Sequence, residues 1–176
     1  MIISIVIPVF NLERYITKCL ESIETQNFSQ DKYEVIIVND NSKDKSLKKI
    51  KKFKNKFKNL LVINNKKNLG PGPSRNKGIL FSKGKYLMFI DGDDFLNKNT
   101  LKTVEKYLNN KKYDFIGYNF NRIFSGRKIM RNCRKDFYFI KKNFDKRIKN
   151  FLNGEIDGSV IFTIIKKSLI LKRGLM

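Results

Sequence analysis

Tyr86-Leu-Met-Phe-Ile-Asp91-Gly-Asp93-Asp94-Phe95 runs an apolar and aromatic stretch straight into three carboxylates. A short continuous apolar run between turn residues, here Gly84 and Gly92, predicts a strand buried on both faces. The acids then stand where a central strand of an α/β sheet ends, the place where such sheets bind ligands. Like charges so close repel one another unless a cation neutralises them. Hard oxygen ligands on a tight turn suit Mg²⁺ or Mn²⁺. The competing reading is a solvated acidic turn that caps the next helix.

The flanking sequence repeats the theme. Ile2 to Phe10 is β-branched and nearly continuous and predicts a strand that Pro8 closes. Asn11 is placed to cap a helix, with Glu13 in its first turn. Ile16, Cys19, Leu20 and Ile23 share one face of that helix. Tyr33 to Asn39 predicts a second strand, which enters the polar turn Asp40 to Asp44, a candidate helix cap. Leu47, Ile50, Phe53 and Phe57 give the next helix its buried stripe. Leu60 to Asn64 predicts a third strand. Asn68 to Gly78 alternates Gly and Pro, which predicts a stiff loop with Pro73 opening a helix. Arg75 then lies near a helix N-terminus, where it can meet phosphate; the competing reading is an ordinary surface arginine.

Beyond the acids, Leu101, Val104 and Leu108 mark a helix, and Tyr113 to Phe120 a strand. Arg122 to Lys142 is basic and aromatic with weak periodicity, so a loop or irregular strands are expected. Phe144, Ile148 and Phe151 suggest a short helix, and Gly154 to Gly158 a turn. Val160 to Ile165 predicts a last strand, and Lys166 to Lys172 a helix. This alternation fixes the class as α/β with a mainly parallel sheet, in one domain over residues 1–176. The polar turns after Val9, at Asp40 and at Asp91 gather on one edge of such a sheet, where they can form a nucleotide-sized site.

Composition narrows the chemistry. The 176 residues are enough for one sizeable core. There is no histidine, which excludes Ser-His-Asp triads, Cys-His pairs and His-ligated zinc. The two cysteines, Cys19 and Cys133, are no disulfide framework and read as reduced thiols of a cytoplasmic protein. No apolar run is long enough for a transmembrane helix. The start lacks the basic n-region of a signal peptide. The formal net charge of +22 invites an anionic partner. Part of it is ascribed to composition, since Lys, Asn, Ile and Phe are abundant together.

Four motifs, in order and in register, resemble the family 2 glycosyltransferases of GT-A fold: Ser4-Ile-Val-Ile-Pro-Val-Phe-Asn11, Val38-Asn-Asp-Asn-Ser42, Asn68 to Gly78, and Phe89-Ile-Asp-Gly-Asp-Asp94. The resemblance covers roughly the first two thirds of the chain, and Val160 to Leu171 looks like a strand and short helix found later in bacterial members. It implies a nucleotide-sugar donor, usually UDP-linked, and metal-dependent transfer with inversion to a hydroxyl of a glycan or lipid-linked acceptor of surface polysaccharide. By position, Pro8, Val9 and Phe10 would line the nucleotide pocket. Asp40 would accept from the uracil imide, and Arg75 would meet base or phosphate. Asp91 and Asp93 would form the DxD motif around Gly92. Asp93 would hold Mn²⁺ or Mg²⁺ most directly, with Asp91 helping through water or the ribose.

Residues 1–120 would be the nucleotide-sugar part and 121–176 the start of an acceptor part. In the family, the general base is a carboxylate further along than this chain extends. The expectation is therefore an incomplete transferase, with Asp157 and Glu155 as its only candidate bases. The lysine-rich stretches from Lys43 to Lys58 and from Arg122 to Lys149 suggest peripheral attachment to the cytoplasmic face of an anionic membrane. An aspartyl-phosphate phosphatase also opens on a strand ending in Asp-x-Asp, but on an N-terminal strand and followed by different residues. A basic module binding nucleic acid or membrane explains the charge but not the ordered acidic turns; no nucleic-acid partner is expected.

Overall fold

A computed structural model describes residues 1–109, 114–118, 122–124, 127–129, 137–140 and 163–172. Its strands are β1 (Ile3–Val9), β2 (Tyr33–Asn39), β3 (Leu60–Asn64), β4 (Tyr86–Phe89), β5 (Phe115–Tyr118), β6 (Arg122–Phe124), β7 (Arg127–Ile129), β8 (Phe137–Ile140) and β9 (Thr163–Lys166). Its helices are α1 (Ile16–Glu24), α2 (Ser46–Lys51), α3 (Pro71–Phe81), α4 (Thr100–Asn109) and α5 (Lys167–Lys172).

The main sheet has seven strands in the order β3-β2-β1-β4-β9-β5-β8, and β6 pairs with β7 apart from it. The first four run parallel. β9 is antiparallel to both β4 and β5, and β8 is antiparallel to β5. Five of the seven strands thus share one direction. The α/β, mainly parallel reading holds, but the half of the sheet beyond β4 is antiparallel.

The period-2 alternation of the buried strands sorts two cores. Ile3, Ile5, Ile7 and Val9 of β1, Val35 and Ile37 of β2, and Met88 of β4 pack with Ile16, Leu20 and Ile23 of α1, Ile50 of α2 and Leu101 and Val104 of α4. Val6, Ile36, Val38, Leu87 and Phe89 face the other side and meet Ile79 of α3 and Ile170 of α5. Being covered on both faces is why these strands read as unbroken apolar runs.

Several local expectations are corrected. Asn11 caps nothing: α1 starts at Ile16, and Asn11 sits at φ 52° in the left-handed region that Asn tolerates. Its N–H donates to Ser42 Oγ and its Oδ1 accepts from Lys43 N, so it ties two loops together. The loop expected to run up to Pro73 is already helix from Pro71, whose missing N–H is no loss in a first turn. α2 is short; beyond Lys51, Phe53 and Lys54 are held by bonds to residues three back, and Phe53 and Phe57 are still buried. The region after Arg122, left between loop and strand, contains β6, β7 and β8. The helix suggested by Phe144 and the turn at Gly154 to Gly158 lie outside the described residues.

Candidate functional site

β1 lies between β2 and β4 while the chain order runs outward on both sides, so the topological switch point is the crevice at the ends of β1 and β4. Val9 pairs with Asn39 and Val6 with Phe89. Asp40 N donates to Val9 O at 2.7 Å, and Ile90 N to Val6 O at 3.2 Å. These bonds bring Pro8, Val9 and Phe10, then Asp40, then Asp91 to Asp94 to one edge. Pro8 and Val9 are buried, whereas Phe10 is 43% exposed. Gly92 lets the acidic turn close on β1: a Cβ there would lie 2.8 Å from Leu12 Cδ1 and 3.4 Å from Pro8 O.

Asp91, Asp93 and Asp94 each offer a carboxylate oxygen within 4.8 Å of the others. The turn is held by Asp94 N donating to Asp91 O at 2.9 Å. Crowding has its electrostatic mark: the Asp94 carboxyl is pushed up to about 6, by burial first and then by the charges of Asp93 and Asp91. An all-oxygen set of this density fits a hard divalent cation and does not fit a soft one. Arg75, from the second turn of α3, donates from Nη2 to Asp91 Oδ1 at 2.5 Å. Its Nε is buried without a partner among the described residues, a donor left over for something else.

α1 clasps the segment that follows. The Cys19 thiol reaches Asp91 O at 3.8 Å. Burial first, and then the charges of Asp94, Asp93 and Asp91, push that thiol far above its ordinary range, so it keeps its proton. Ser22 Oγ accepts from Leu96 N, and Gln26 bonds both Asn97 O and Leu101 N. Cys19 and Ser22, three apart, share one stripe of α1, and Gln26 follows just beyond its end. Lys18 Nζ stands 4.1 Å above the Phe95 ring.

Asp40 is 2% exposed. Its carboxylate accepts from Asn65 Nδ2 (2.7 Å), from Leu69 N (3.0 and 3.1 Å, one to each oxygen) and from Gly70 N (2.7 Å). Burial alone would raise its pKa, but the bonds from Asn65, Leu69, Gly70 and Ser74 outweigh it and hold the carboxyl below its usual range. The first two loops are laced beside it. Asp44 accepts from Glu13 N and Ser46 N, Glu13 accepts from Lys45 N, and Leu12 N donates to Ser46 Oγ.

Pro8, Val9, Phe10, Asp40, Asp91, Gly92 and Asp93 therefore occupy one sheet edge, and Arg75 reaches it from α3. Glu155 and Asp157 lie outside the described residues. Sequence reasoning passed over Asn65, Ser22 and Gln26. The available signal for Asn65 was its place as the first residue after a strand's carboxyl end; lone polar residues such as Ser22 and Gln26 give none.

A family model described as "Glycosyl transferase family 2" matches residues 4–173. The chain is 43% identical over 102 residues to the poly(ribitol-phosphate) beta-glucosyltransferase of Bacillus spizizenii, a stretch that is 57% of this chain and 16% of that protein. It is 36% identical over 114 residues to the poly(ribitol-phosphate) beta-N-acetylglucosaminyltransferase TarS of Staphylococcus aureus, covering 64% of this chain and 20% of TarS. The solved structure of TarS 1-349 in complex with UDP-GlcNAc superposes with a TM-score of 0.80 at 29% identity, over 99% of this chain and 48% of that one. A Pyrobaculum calidifontis mannosyltransferase solved with GDP-Man and Mn²⁺ shares the fold alone, at 15% identity and a TM-score of 0.68 over 98% of this chain and 46% of that one. The chain thus spans about half the length of these solved structures and less of the curated relatives.

Proposed function

The chain belongs to glycosyl transferase family 2, and from that premise we propose that its sheet edge binds a UDP-sugar with Mn²⁺ or Mg²⁺ and serves transfer of the sugar, with inversion, to a hydroxyl of a surface polymer. One observation carries this reading: Asp91, Asp93 and Asp94 crowd beside Arg75 at the switch point of the sheet. Pro8, Val9 and Phe10 line the nucleotide pocket, Gly92 lets the acidic turn approach it, and Asp40 accepts from the base. Asp93 and Asp91 would hold the cation. Once bound, it would neutralise the charge that gathers on the diphosphate as the glycosidic bond breaks. Arg75 stabilises the same charge with its guanidinium, and its partnerless Nε gives it a donor to spare.

Residues 1–120 form the donor side and 121–176 begin the acceptor side. A general base must take the acceptor's proton on the face opposite the leaving group, and Asp157 and Glu155 are the candidates within this chain. The relatives named for poly(ribitol-phosphate) support a polymeric acceptor, and the charge of +22 suits a polyanionic polymer or an anionic leaflet. No described helix is long and apolar enough to cross a membrane; peripheral attachment is proposed on the lysine-rich stretches.

The test is calorimetric titration of UDP, with and without Mn²⁺, into the wild-type chain and Asp93→Ala. Mn²⁺ should tighten UDP binding to the wild type by about tenfold or more and leave the variant unchanged. Equal UDP affinity in both proteins, with or without metal, would sink the reading, and tighter binding of single-stranded nucleic acid would favour a basic binding module.

A further inference from the structure

Asn65 is 5% exposed and follows β3 directly. Its N–H extends the ladder to Asn39 O at 2.9 Å, which fixes its backbone against β2. Its side chain is bonded at both ends. Nδ2 donates to Asp40 Oδ1 at 2.7 Å and to Ser74 Oγ at 3.1 Å, while Oδ1 accepts from Lys77 Nζ at 2.7 Å. An ammonium has donors and no acceptor, so Lys77 can face the amide oxygen and not the nitrogen. Lys77 thereby fixes which way the amide is turned and keeps its NH₂ on Asp40. Ser74 and Lys77 both belong to α3, the helix that carries Arg75.

The effect falls on what Asp40 can still do. An ionised carboxylate offers about four acceptor sites. Asn65 Nδ2, Leu69 N, Gly70 N and the Ser74 hydroxyl fill most of them, with Leu69 N shared between the two oxygens. What remains is a narrow acceptor direction on a group with no proton to give. Such a group welcomes a ring N–H, as on the imide edge of uracil. It rejects a ring nitrogen that is itself an acceptor, as in cytosine, because two acceptors would meet without a proton between them. Without Asn65, the carboxylate keeps its two backbone donors from the loop after Asn68 and the Ser74 hydroxyl, which has itself lost its amide partner, and is freer to turn.

Resting on the UDP-donor reading above, we propose that Asn65, clamped by Lys77, is the positioning residue that sets the Asp40 carboxylate to select a nucleotide base with a ring N–H. Asn65 acts through Asp40 and touches no ligand itself. UDP and CDP share their diphosphate and their metal requirement, so their affinity ratio isolates the base. The experiment is calorimetry of UDP and of CDP, with Mn²⁺, on the wild type, Asn65→Ala, Lys77→Met, Lys77→Arg, Asp40→Asn and the Asn65→Ala/Asp40→Asn double variant.

The wild type should prefer UDP. In Asn65→Ala that preference should fall by about tenfold or more, as for one charge-assisted hydrogen bond lost. Lys77→Met should lower it less and Lys77→Arg should keep it. Asn65→Ala should add nothing to Asp40→Asn, because both act on one interaction. An Asn65→Ala protein that melts earlier but keeps its UDP preference shows a loop tie and overturns the proposal. Should Asn65→Ala fail to fold, an unchanged ratio in Lys77→Met overturns it instead. A wild type that binds UDP and CDP equally overturns this proposal alone, whereas one that binds neither removes the donor reading as well.

Discussion

The Arg75 guanidinium lies on Asp91, a carboxylate that a divalent cation would also claim. The two positive groups therefore compete when no nucleotide is present, and cooperate once a diphosphate lies between them. Arg75→Ala should accordingly have effects of opposite sign: Mn²⁺ alone binds several-fold tighter, by electron paramagnetic resonance, while UDP with Mn²⁺ binds about tenfold weaker. Weakening of both together would mean that Arg75 merely supports the turn. Protons give a second check. The Asp40 and Asp44 carboxyls are both held below their ordinary range; burial opposes this, and hydrogen bonds outweigh it at each. A lowered folded pKa means that protonation favours the unfolded chain. The stabilisation is complete above the unfolded value of about 4 and fades as pH falls through the folded ones. Melting temperature should hold or rise from neutral pH down to about 4, because the Asp94 carboxyl, raised to about 6, binds its proton more readily in the folded chain, and should then drop. Asp44→Asn keeps an acceptor without the charge and should flatten that drop; an unchanged acid limb would place the loss elsewhere. At this scale the motif residues were legible because their spacing is distinctive. Asn65 was not, since a lone Asn after a strand has no periodicity to betray its three bonds.

α3 sits tightly on the sheet because Gly78 allows it. A Cβ there would stand 2.4 Å from Val6 Cγ1 and 3.5 Å from Val38 Cγ2, both in the core beneath the helix. Alanine normally improves a helix by about 1 kcal/mol over glycine. Here overpacking against a stiff β-branched neighbour costs about 1–3 kcal/mol and should outweigh it. Thermal denaturation of Gly78→Ala should show a lower melting temperature, and adding Val6→Ala should restore part of it. A gain in Gly78→Ala alone would show that α3 is free to lift. The same helix shows where sequence reading stops. Strands β1, β2 and β4 were legible because burial on both faces leaves largely apolar runs, and the part-buried edge strand β3 because Leu60 to Ile63 is still an apolar run. The start of α3 was not, because Gly70-Pro71-Gly72-Pro73 has loop composition, and only the contacts of Ser74, Arg75 and Lys77 with the sheet edge explain a helix from Pro71. Likewise the stretch that contains β9 was recognisable as a strand, while its direction depends on which neighbours it pairs with, and no local pattern encodes that.

Over the whole molecule positive charge prevails, +22 net. Lys48, Lys51 and Lys52 are exposed on and just after α2, and Lys54, Lys56 and Lys58 continue the run. If these lysines hold an anionic leaflet, each is worth about 1 kcal/mol near the surface. Sedimentation with vesicles of phosphatidylglycerol should then pull the protein down at low salt and release it as ionic strength rises. Replacing Lys48, Lys51 and Lys52 by Gln should weaken binding by about tenfold or more. Indifference to anionic vesicles at low salt would leave the charge to composition or to a polyanionic acceptor. The place of β9 has its own consequence, for the order in which the molecule can be made. β9 lies between β4 and β5, so the flank of β4 from Tyr86 to Met88 finds its partner in Ile164 to Lys166. A ribosome delivers the parallel quartet first. Roughly 75 residues separate Phe89 from Thr163, several seconds of synthesis at about 5–20 residues per second. Throughout that interval β4 presents an open edge in the middle of the future sheet, a template for any other strand. Lys83 and Lys85 stand just ahead of it in the chain, with the charge that discourages such pairing. The nascent chain spends its most vulnerable moments waiting for β9 to arrive.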